Sequence, residues 1–324
     1  MRRPPLLALP TLLLLLGTAP AFAATLLVLN KTDSTLSLID PGTGRTGATI
    51  PVGTGPHEVE VTPDGTLAVV SNYGAQTPGN SLSVIDLVAR REKQRVDLGQ
   101  LQRPHGIAIP DAKSAYFTSE VARGVGRLDL ATGKVEWKLP TDQKRTHMVL
   151  ASRDGRTLFT ANVQSDSVSI LQLAADGSAT QSRVTTGKGP EGMDLSPDGK
   201  QLWAANSGDG SVSIIDVASR KLVRTFDVGT RRSNRLKFTP DGKTVLVSDL
   251  AGGELVVLDA GTQQQRARLQ VGAGASGILV VPDGSRAFVA LAGEKRLAVV
   301  DLATLKVIDR IETGAGPDGM AWVR

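Results

Sequence analysis

A repeat of about 43 residues runs through almost the whole chain and constrains its fold more than any other feature. One marker is a Pro-Asp-Gly turn, intact at 63–65, 197–199, 240–242 and 282–284 and degenerate at 110–112 and 153–155. The other is an alternating apolar segment with seven copies, at 36–40, 82–86, 125–129, 168–172, 212–216, 255–259 and 297–301. A fixed period of this length indicates a repeat architecture.

The pattern inside each repeat predicts four short β-strands. Apolar and polar side chains alternate with a period of two, as Ser211–Asp216 shows, and this favours strands over helices. Four antiparallel strands per repeat are typical of a propeller blade. One C-terminal strand and three N-terminal strands would complete a seventh blade. We therefore predict an all-β, seven-bladed β-propeller with blades at 56–98, 104–139, 146–184, 190–228, 234–271, 275–313, and 317–324 joined to 25–52.

The first 23 residues have the features of a secretory signal peptide. Arg2 and Arg3 precede an apolar run of 11 residues, Leu6 to Leu16, and Ala21-Phe22-Ala23 provides an Ala-x-Ala cleavage sequence. That run is too short for a membrane span, which needs about 20 residues. We predict that residues 1–23 are a signal peptide and that residues 24–324 form one propeller domain without a membrane span. The expected location is the bacterial periplasm or the medium.

Composition excludes several functional classes. The chain has no Cys, so a disulfide scaffold, a thiolate metal site and a Cys nucleophile are excluded. Its 3 His, 3 Trp, 2 Tyr and 6 Phe offer few rings on which bases could stack, and no sequence-reading element is visible. Nucleic acid is therefore not an expected partner. The sequence also lacks a G-x-S-x-G elbow, a phosphate-binding loop and an H-E-x-x-H motif.

The best-formed repeat resembles that of a known propeller family. Gly189 to Asn206 reads GPEGMDLSPDGKQLWAAN, which is similar to the YVTN-type repeat, and Val70-Ser71-Asn72-Tyr73 resembles its final strand. The resemblance covers nearly the whole of residues 24–324 and implies an exported seven-bladed propeller. It is unspecific for function, because such propellers include binding proteins and domains beside redox cofactors.

One repeat position gathers all three histidines of the chain. The residue at the start of each innermost strand is, in chain order, His57, His105, His147, Glu191, Asn234, Ser276 and Asp318. The residue fifteen positions later ends the second strand of the same hairpin: Asn72, Glu120, Asn162, Asn206, Asp249 and Leu291. The start of the first strand and the end of the second strand of an antiparallel hairpin lie at the same end of the sheet. We therefore expect these polar side chains around one mouth of the central channel.

Three functions of this mouth remain open from the sequence. The first is a noncatalytic, polar mouth that binds a ligand or a periplasmic protein through His57, His105, His147, Glu191, Asn234, Asp318, Asn72, Asn162, Asn206 and Asp249. The second is a divalent metal site of His57, His105, His147 and Glu191, since imidazoles with a carboxylate suit Zn²⁺, Fe²⁺ or Mn²⁺. It would support a metal-dependent lyase or hydrolase with Glu120 or Glu191.

The third function is acid–base catalysis by His105 and Glu120, which face each other across one hairpin. The surrounding segments, Arg103 to Ile107 and Tyr116 to Glu120, resemble repeats of streptogramin-type lyases, also seven-bladed propellers. That resemblance covers one blade, and the recurrent Trp-Phe-Thr-Glu strands of those lyases are missing elsewhere.

Basic residues cluster in the loops that lead into the innermost strands. They are Arg103, Lys144, Arg145, Lys188, Arg231, Arg232 and Arg235. A positive rim raises the local concentration of negatively charged molecules. The predicted ligand or partner of the mouth is therefore anionic.

Overall fold

The computed structural model describes residues 24–324 and shows a closed ring of seven four-stranded antiparallel sheets. The predicted signal peptide, residues 1–23, lies outside the described residues. The all-β, seven-bladed propeller predicted from the repeat is confirmed, with each blade boundary within two residues of its predicted place. Among the described residues, the one helical element is a 3-10 turn at Val163–Ser165, and none forms a helix able to cross a membrane.

The strands follow the chain in order from the inner to the outer edge of each blade. The N-terminal strands of the seventh blade and the four strands of the first are β1 Thr25–Asn30, β2 Thr35–Ile39, β3 Thr46–Pro51, β4 Pro56–Val61, β5 Leu67–Gly74, β6 Pro78–Asp86 and β7 Arg91–Asp97. The second and third blades contain β8 Pro104–Ala108, β9 Ser114–Ser119, β10 Gly124–Asp129, β11 Val135–Pro140, β12 Thr146–Ala151, β13 Thr157–Asn162, β14 Ser167–Leu173 and β15 Ala179–Thr185.

The remaining blades repeat this order. The fourth and fifth contain β16 Pro190–Leu195, β17 Gln201–Asn206, β18 Ser211–Asp216, β19 Lys221–Asp227, β20 Ser233–Phe238, β21 Thr244–Asp249, β22 Glu254–Asp259 and β23 Gln265–Gln270. The sixth blade and the C-terminal strand are β24 Ala275–Val280, β25 Arg286–Leu291, β26 Arg296–Asp301, β27 Lys306–Glu312 and β28 Pro317–Val323. Strand β28 pairs with β1, so the two ends of the described chain close the ring as predicted.

The core lies between neighbouring blades. Seven apolar clusters fill the seven interfaces, because the apolar side chains on the faces of each sheet pack against the next blade. The smallest lies between the second and third blades and includes Tyr116, Val125 and Leu158. The pairing of β28 with β1 completes the seventh sheet, so all seven blades have four strands and every blade packs against two others.

A β-bulge recurs at the start of every innermost strand. In the first blade Pro56 pairs with Asn72 and Val59 pairs with Val70, so His57 and Glu58 together stand opposite Ser71. The other six blades show the same shift. A bulge redirects side chains relative to the sheet. The bulge in each innermost strand therefore determines the direction of the side chains at the channel mouth.

Candidate functional site

The seven residues at the start of the innermost strands form a ring around one end of the channel, which we call the mouth ring. Its members are His57, His105, His147, Glu191, Asn234, Ser276 and Asp318. Six of them are buried, and His57 retains part of its exposure. The predicted gathering of the three histidines is therefore seen, since their rings lie on consecutive blades and in contact.

The second predicted set has a different role in the blades. Asn72 Nδ2 donates hydrogen bonds to Ser81 and Ser83, at 3.1 and 3.0 Å. Asn30, Asn162 and Asn206 bind the equivalent hydroxyls of their own third strands. Asp249 accepts backbone N–H bonds from Arg231, Arg232 and Gly252. The structure thus directs Asn72, Asn162, Asn206 and Asp249 into blade hairpins, so their geometry is explained by blade assembly.

Glu120 differs from the four Asn residues at this second position. Its blade has Gly124 and Gly126 where the four Asn blades have a pair of hydroxyls, and the Phe117 ring fills the space that a Cβ on Gly126 would need. Without serine partners, the Glu120 carboxylate bonds instead to the neighbouring blades. Oε1 lies 2.6 Å from His147 Nδ1 and 3.2 Å from Arg145 Nε, and Oε2 accepts the Tyr73 hydroxyl at 2.7 Å.

These contacts set the protonation of the carboxylate. Burial opposes ionisation of Glu120, but the hydrogen bond and charge interaction with His147, together with Tyr73 and Arg145, lower its pKa to about 2. Burial and the bond to Glu120 raise the pKa of Tyr73 to about 12. Glu120 is therefore an ionised acceptor and Tyr73 a neutral donor. The proposed acid–base pair of His105 and Glu120 is not formed, because Glu120 pairs with His147 of the next blade.

The histidine rings and Tyr73 form a continuous row of ring contacts, which we call the histidine stack. The Tyr73 and His57 centroids are 4.5 Å apart, His57 meets His105 edge to face at 4.9 Å, and His105 and His147 are 3.6 Å apart. Burial lowers the pKa of His57 to about 4 and that of His105 well below its usual value. His105 Nδ1 and His147 Nε2 are buried without a hydrogen-bond partner. The imidazoles of His57 and His105 are therefore neutral at pH 7.

This stacking does not suit the predicted metal site of His57, His105, His147 and Glu191. An imidazole donates its lone pair in the plane of the ring, so two rings stacked at 32° and 3.6 Å direct their nitrogens alongside each other instead of toward one ion. In the part of the chain that the structure describes, no three His, Asp or Glu side chains have an arrangement that could hold a metal ion. The geometry leaves the metal hypothesis without a ligand set.

A buried ion pair joins opposite sides of the channel directly beside the mouth ring. Arg235 of the fifth blade donates to Glu58 Oε1 of the first blade, and the two side chains are 7% and 15% exposed. Burial lowers the pKa of Arg235, but the negative charge of Glu58 raises it, and the net effect is an increase. Arg235, predicted on the positive rim, is therefore an internal, paired group. Sequence reasoning missed Glu58, although both residues occupy a bulge position that is Gly in four other blades.

Two adjoining cavities open beside the stack. The rim cavity, about 360 Å³, is lined by Tyr73, Arg103, Glu120, Val121, Arg123, Lys144, Arg145 and Gln164. A neighbouring cavity of about 380 Å³ includes Lys31, His57, Tyr73 and Arg103. The Arg103 guanidinium lies over the Tyr73 ring at 4.7 Å, and both residues line both cavities. Tyr73 and Arg123 were missed by the sequence reasoning, which followed only repeat positions rich in His and Asn.

The rim cavity has an excess of positive charge. Its lining holds four cations and one carboxylate, and that carboxylate, Glu120, already accepts three hydrogen bonds. Within residues 24–324, the side chains of Arg123 and Lys144 make no hydrogen bond or ion pair. By contrast, Glu191 accepts from Asn234 at 2.7 Å and Asp318 lies 3.4 Å from Lys31 Nζ. The carboxylates of the mouth ring thus have hydrogen-bond or ion-pair partners, whereas the rim cavity has one ion pair, Arg145 with Glu120, and an excess of cations.

Comparisons with known proteins agree with this architecture. Among solved structures, a putative 6-phosphogluconolactonase from Bacteroides fragilis has a TM-score of 0.78 and 15% identity, over 95% of this chain and 100% of that one. A hydrazine synthase chain from Kuenenia stuttgartiensis has a TM-score of 0.72 and 20% identity, over 83% and 90%. A functionally unknown protein from Desulfotomaculum acetoxidans has a TM-score of 0.78 and 16% identity, over 93% and 99%. At these identities the likeness is one of fold.

A family model identifies the chain more closely. No curated protein matches the sequence significantly. The model described as "Lactonase, 7-bladed beta-propeller" matches residues 43–227, which is more than half of the chain. The match and the seven closed blades agree, and the chain belongs to the seven-bladed β-propeller lactonase family.

Proposed function

We propose that this chain is an exported propeller that binds an anionic small molecule at the channel mouth. The observation that carries the proposal is the excess of unpaired cations around the rim cavity, next to a mouth ring whose carboxylates are paired. Like charges held together without a counterion repel one another, so an anion entering the cavity relieves that repulsion. A cleft with one sign of charge also raises the local concentration of an oppositely charged ligand.

Isothermal titration of the purified protein with citrate, inorganic phosphate and gluconate tests this proposal, with neutral glucose as the control ligand. We expect at least one anion to bind, with an affinity that falls as sodium chloride is added, and glucose to give no heat. Lys144→Glu is expected to weaken binding by tenfold or more. Lys221→Glu makes the same change on an exposed outer strand and should leave the affinity unchanged. Failure of every anion to bind would refute the proposal.

The YVTN-type subgroup and the periplasmic location belong to the same proposal. They are supported by the Gly189 to Asn206 repeat and by the Ala-x-Ala sequence at Ala21 to Ala23. Fractionation of cells that make the full chain is expected to place a shortened protein, beginning at Ala24, in the periplasm. A cytoplasmic protein that retains Met1 would contradict it.

Hydrolysis of a lactone ring is the second candidate, favoured by the family match and by the geometry of His57. His57 Nδ1 lies 3.1 Å from the Gly55 carbonyl, which only accepts, so Nδ1 carries the proton and Nε2 is the free base. With its pKa near 4, the ring is neutral at pH 7. In this reaction His57 Nε2 takes a proton from water as the water oxygen attacks the lactone carbonyl. The ring C–O bond then breaks, and the leaving oxygen receives the proton.

A pH-stat assay with gluconolactone tests the second candidate. If it holds, the wild-type protein accelerates acid release above the spontaneous rate, and His57→Gln lowers the rate at least a hundredfold. Equal rates with and without protein, or full activity of His57→Gln, would leave anion binding as the function.

A further inference from the structure

Two arginines of the rim cavity occupy a backbone position where most blades have glycine. Six blades place the residue two before the mouth-ring residue in the left-handed region. Four of these residues are Gly55, Gly189, Gly274 and Gly316, with φ between +60° and +73°. The second and third blades instead have Arg103 at φ +53° and Arg145 at φ +55°. Left-handed backbone is strained for a residue with a Cβ and unstrained for glycine.

The local structure is otherwise the same in glycine and arginine blades. The carbonyl of this residue accepts a backbone N–H from a residue at the end of the second strand or directly after it. Tyr73 donates to Gly55, Glu120 to Arg103, Val163 to Arg145, and Ser207 to Gly189. The turn itself therefore does not require arginine. Arg103 and Arg145 keep a strained backbone conformation in two adjacent blades, at a position where glycine would serve the fold. This points to a role for their side chains.

Both guanidinium groups are arranged to receive an anion. Arg145 uses Nε for Glu120, and its two terminal nitrogens make no hydrogen bond within residues 24–324. Arg103 is held over the Tyr73 ring and donates to the carbonyls of Ala75 and Gln76 through one terminal nitrogen. Arg123 and Lys144 add two further unpaired charges to the same cavity. A planar guanidinium with free N–H groups fits carboxylate and phosphate oxygens in a two-pronged manner.

We propose that Arg103 and Arg145 form an anion clamp in the rim cavity, between the first and third blades, for a ligand that carries two or more negative charges on its oxygens. This inference rests on the proposed anion-binding function and adds to it the place and charge of the ligand. The ligand contacts the clamp in the rim cavity, where Tyr73 is the aromatic ring that lines the site. A phosphate group and a polycarboxylate share the required chemistry.

Substitution to glycine tests the clamp, because glycine is the residue that four other blades use at this position. The variants are Arg103→Gly and Arg145→Gly. The matched control is Arg90→Gly, which also removes an arginine from left-handed backbone, at φ +53°, but at the opposite end of the propeller. Each protein is titrated with phosphate, citrate and acetate, and its melting temperature is measured without ligand.

The clamp predicts that wild-type protein binds phosphate or citrate more tightly than acetate, and that Arg103→Gly and Arg145→Gly weaken this binding at least tenfold. Arg103→Gly should keep or raise the melting temperature, and Arg90→Gly should keep wild-type affinity. If anions bind but the two clamp variants bind them like the wild type, the clamp is wrong and the proposed function stands. If no anion binds the wild type, the proposed function itself fails.

If Arg103→Gly lowers the melting temperature, its weaker binding does not by itself support the clamp. Arg103→Asn decides this case, since Asn tolerates left-handed backbone and has no charge. It should fold like the wild type and bind phosphate or citrate as weakly as Arg103→Gly. Wild-type affinity in the folded Asn variant would overturn the proposal.

Discussion

The channel beside the mouth ring and the rim cavity both contain many charged side chains, but they differ in how those charges are balanced. In the channel, Glu58 pairs with Arg235 and Asp318 with Lys31. In the rim cavity, the side chains of Arg123 and Lys144 have no hydrogen-bond or ion-pair partner among residues 24–324, and the terminal nitrogens of Arg145 have none there either. Paired, buried charges hold blades together, whereas unpaired charges beside open space contribute little to folding. On this difference we base the expectation that the channel pairs contribute to stability, and the proposal that the rim cavity binds a ligand.

The largest expected loss of stability comes from breaking the channel ion pair. Glu58→Ala leaves Arg235, which is 6% exposed, buried without its carboxylate, and we expect a loss of about 3 kcal/mol in the free energy of unfolding. Glu254→Ala is the matched control, because it breaks an ion pair with Arg268 whose side chains are each 26% exposed. It should cost no more than about 1 kcal/mol. Urea unfolding at pH 7 measures both, and equal losses would contradict the comparison.

The next-largest expected effect is the pH dependence of stability due to Glu120. This residue lines the rim cavity and is bonded to His147 of the mouth ring. Its pKa is near 2 in the folded protein and 4.5 in the unfolded chain, so the unfolded chain binds the proton more readily. Its contribution, roughly 2–3 kcal/mol, is therefore present above pH 4.5 and is lost as the pH falls toward 2.

Comparison with Glu120→Gln isolates this contribution from that of other carboxylates. The stability difference between wild type and Glu120→Gln, measured by urea unfolding, should be largest at pH 6 and shrink as the pH falls through 4.5 toward 2. A difference that is constant from pH 6 to 3 would show that Glu120 is not held in its ionised form by His147, Arg145 and Tyr73.

The smallest expected effect on folding is in the rim cavity. The double variant Arg123→Ala/Lys144→Ala removes two exposed, unpaired side chains, and its free energy of unfolding should stay within about 0.5 kcal/mol of the wild type or increase slightly. Thermal and urea unfolding measure this change. A loss above 1 kcal/mol would mean that these cations stabilise the fold, and the contrast with the channel would disappear.

The repeat was enough to predict the fold and its closure. Alternation in segments such as Ser211–Asp216 and the recurring Pro-Asp-Gly turns indicate strands and hairpins directly. The predicted completion of the seventh blade by one C-terminal strand is seen in the pairing of β28 with β1. The mouth ring was also predictable, because equivalent positions of a closed repeat meet around one axis. His57, His105 and His147 do lie in contact.

The partners of these residues could not be predicted from the repeat register. Side-chain direction at the mouth depends on the bulge, so Glu58 and Arg235 meet across the channel although 177 residues separate them. The serines that pair with Asn72 and Asn206 were visible in the sequence and would have shown that those amides serve the blade. The second blade has Gly124 and Gly126 at the equivalent positions, so the sequence also shows that Glu120 has no hydroxyl partner on its own third strand.

The most direct test of the anion clamp is a crystal structure of the protein grown with citrate or phosphate. We expect one anion in the rim cavity, within hydrogen-bond distance of both Arg103 and Arg145, with Glu120 still bound to His147 and Tyr73. An anion held on the mouth-ring imidazoles, or an empty rim cavity in crystals where titration shows binding, would contradict it.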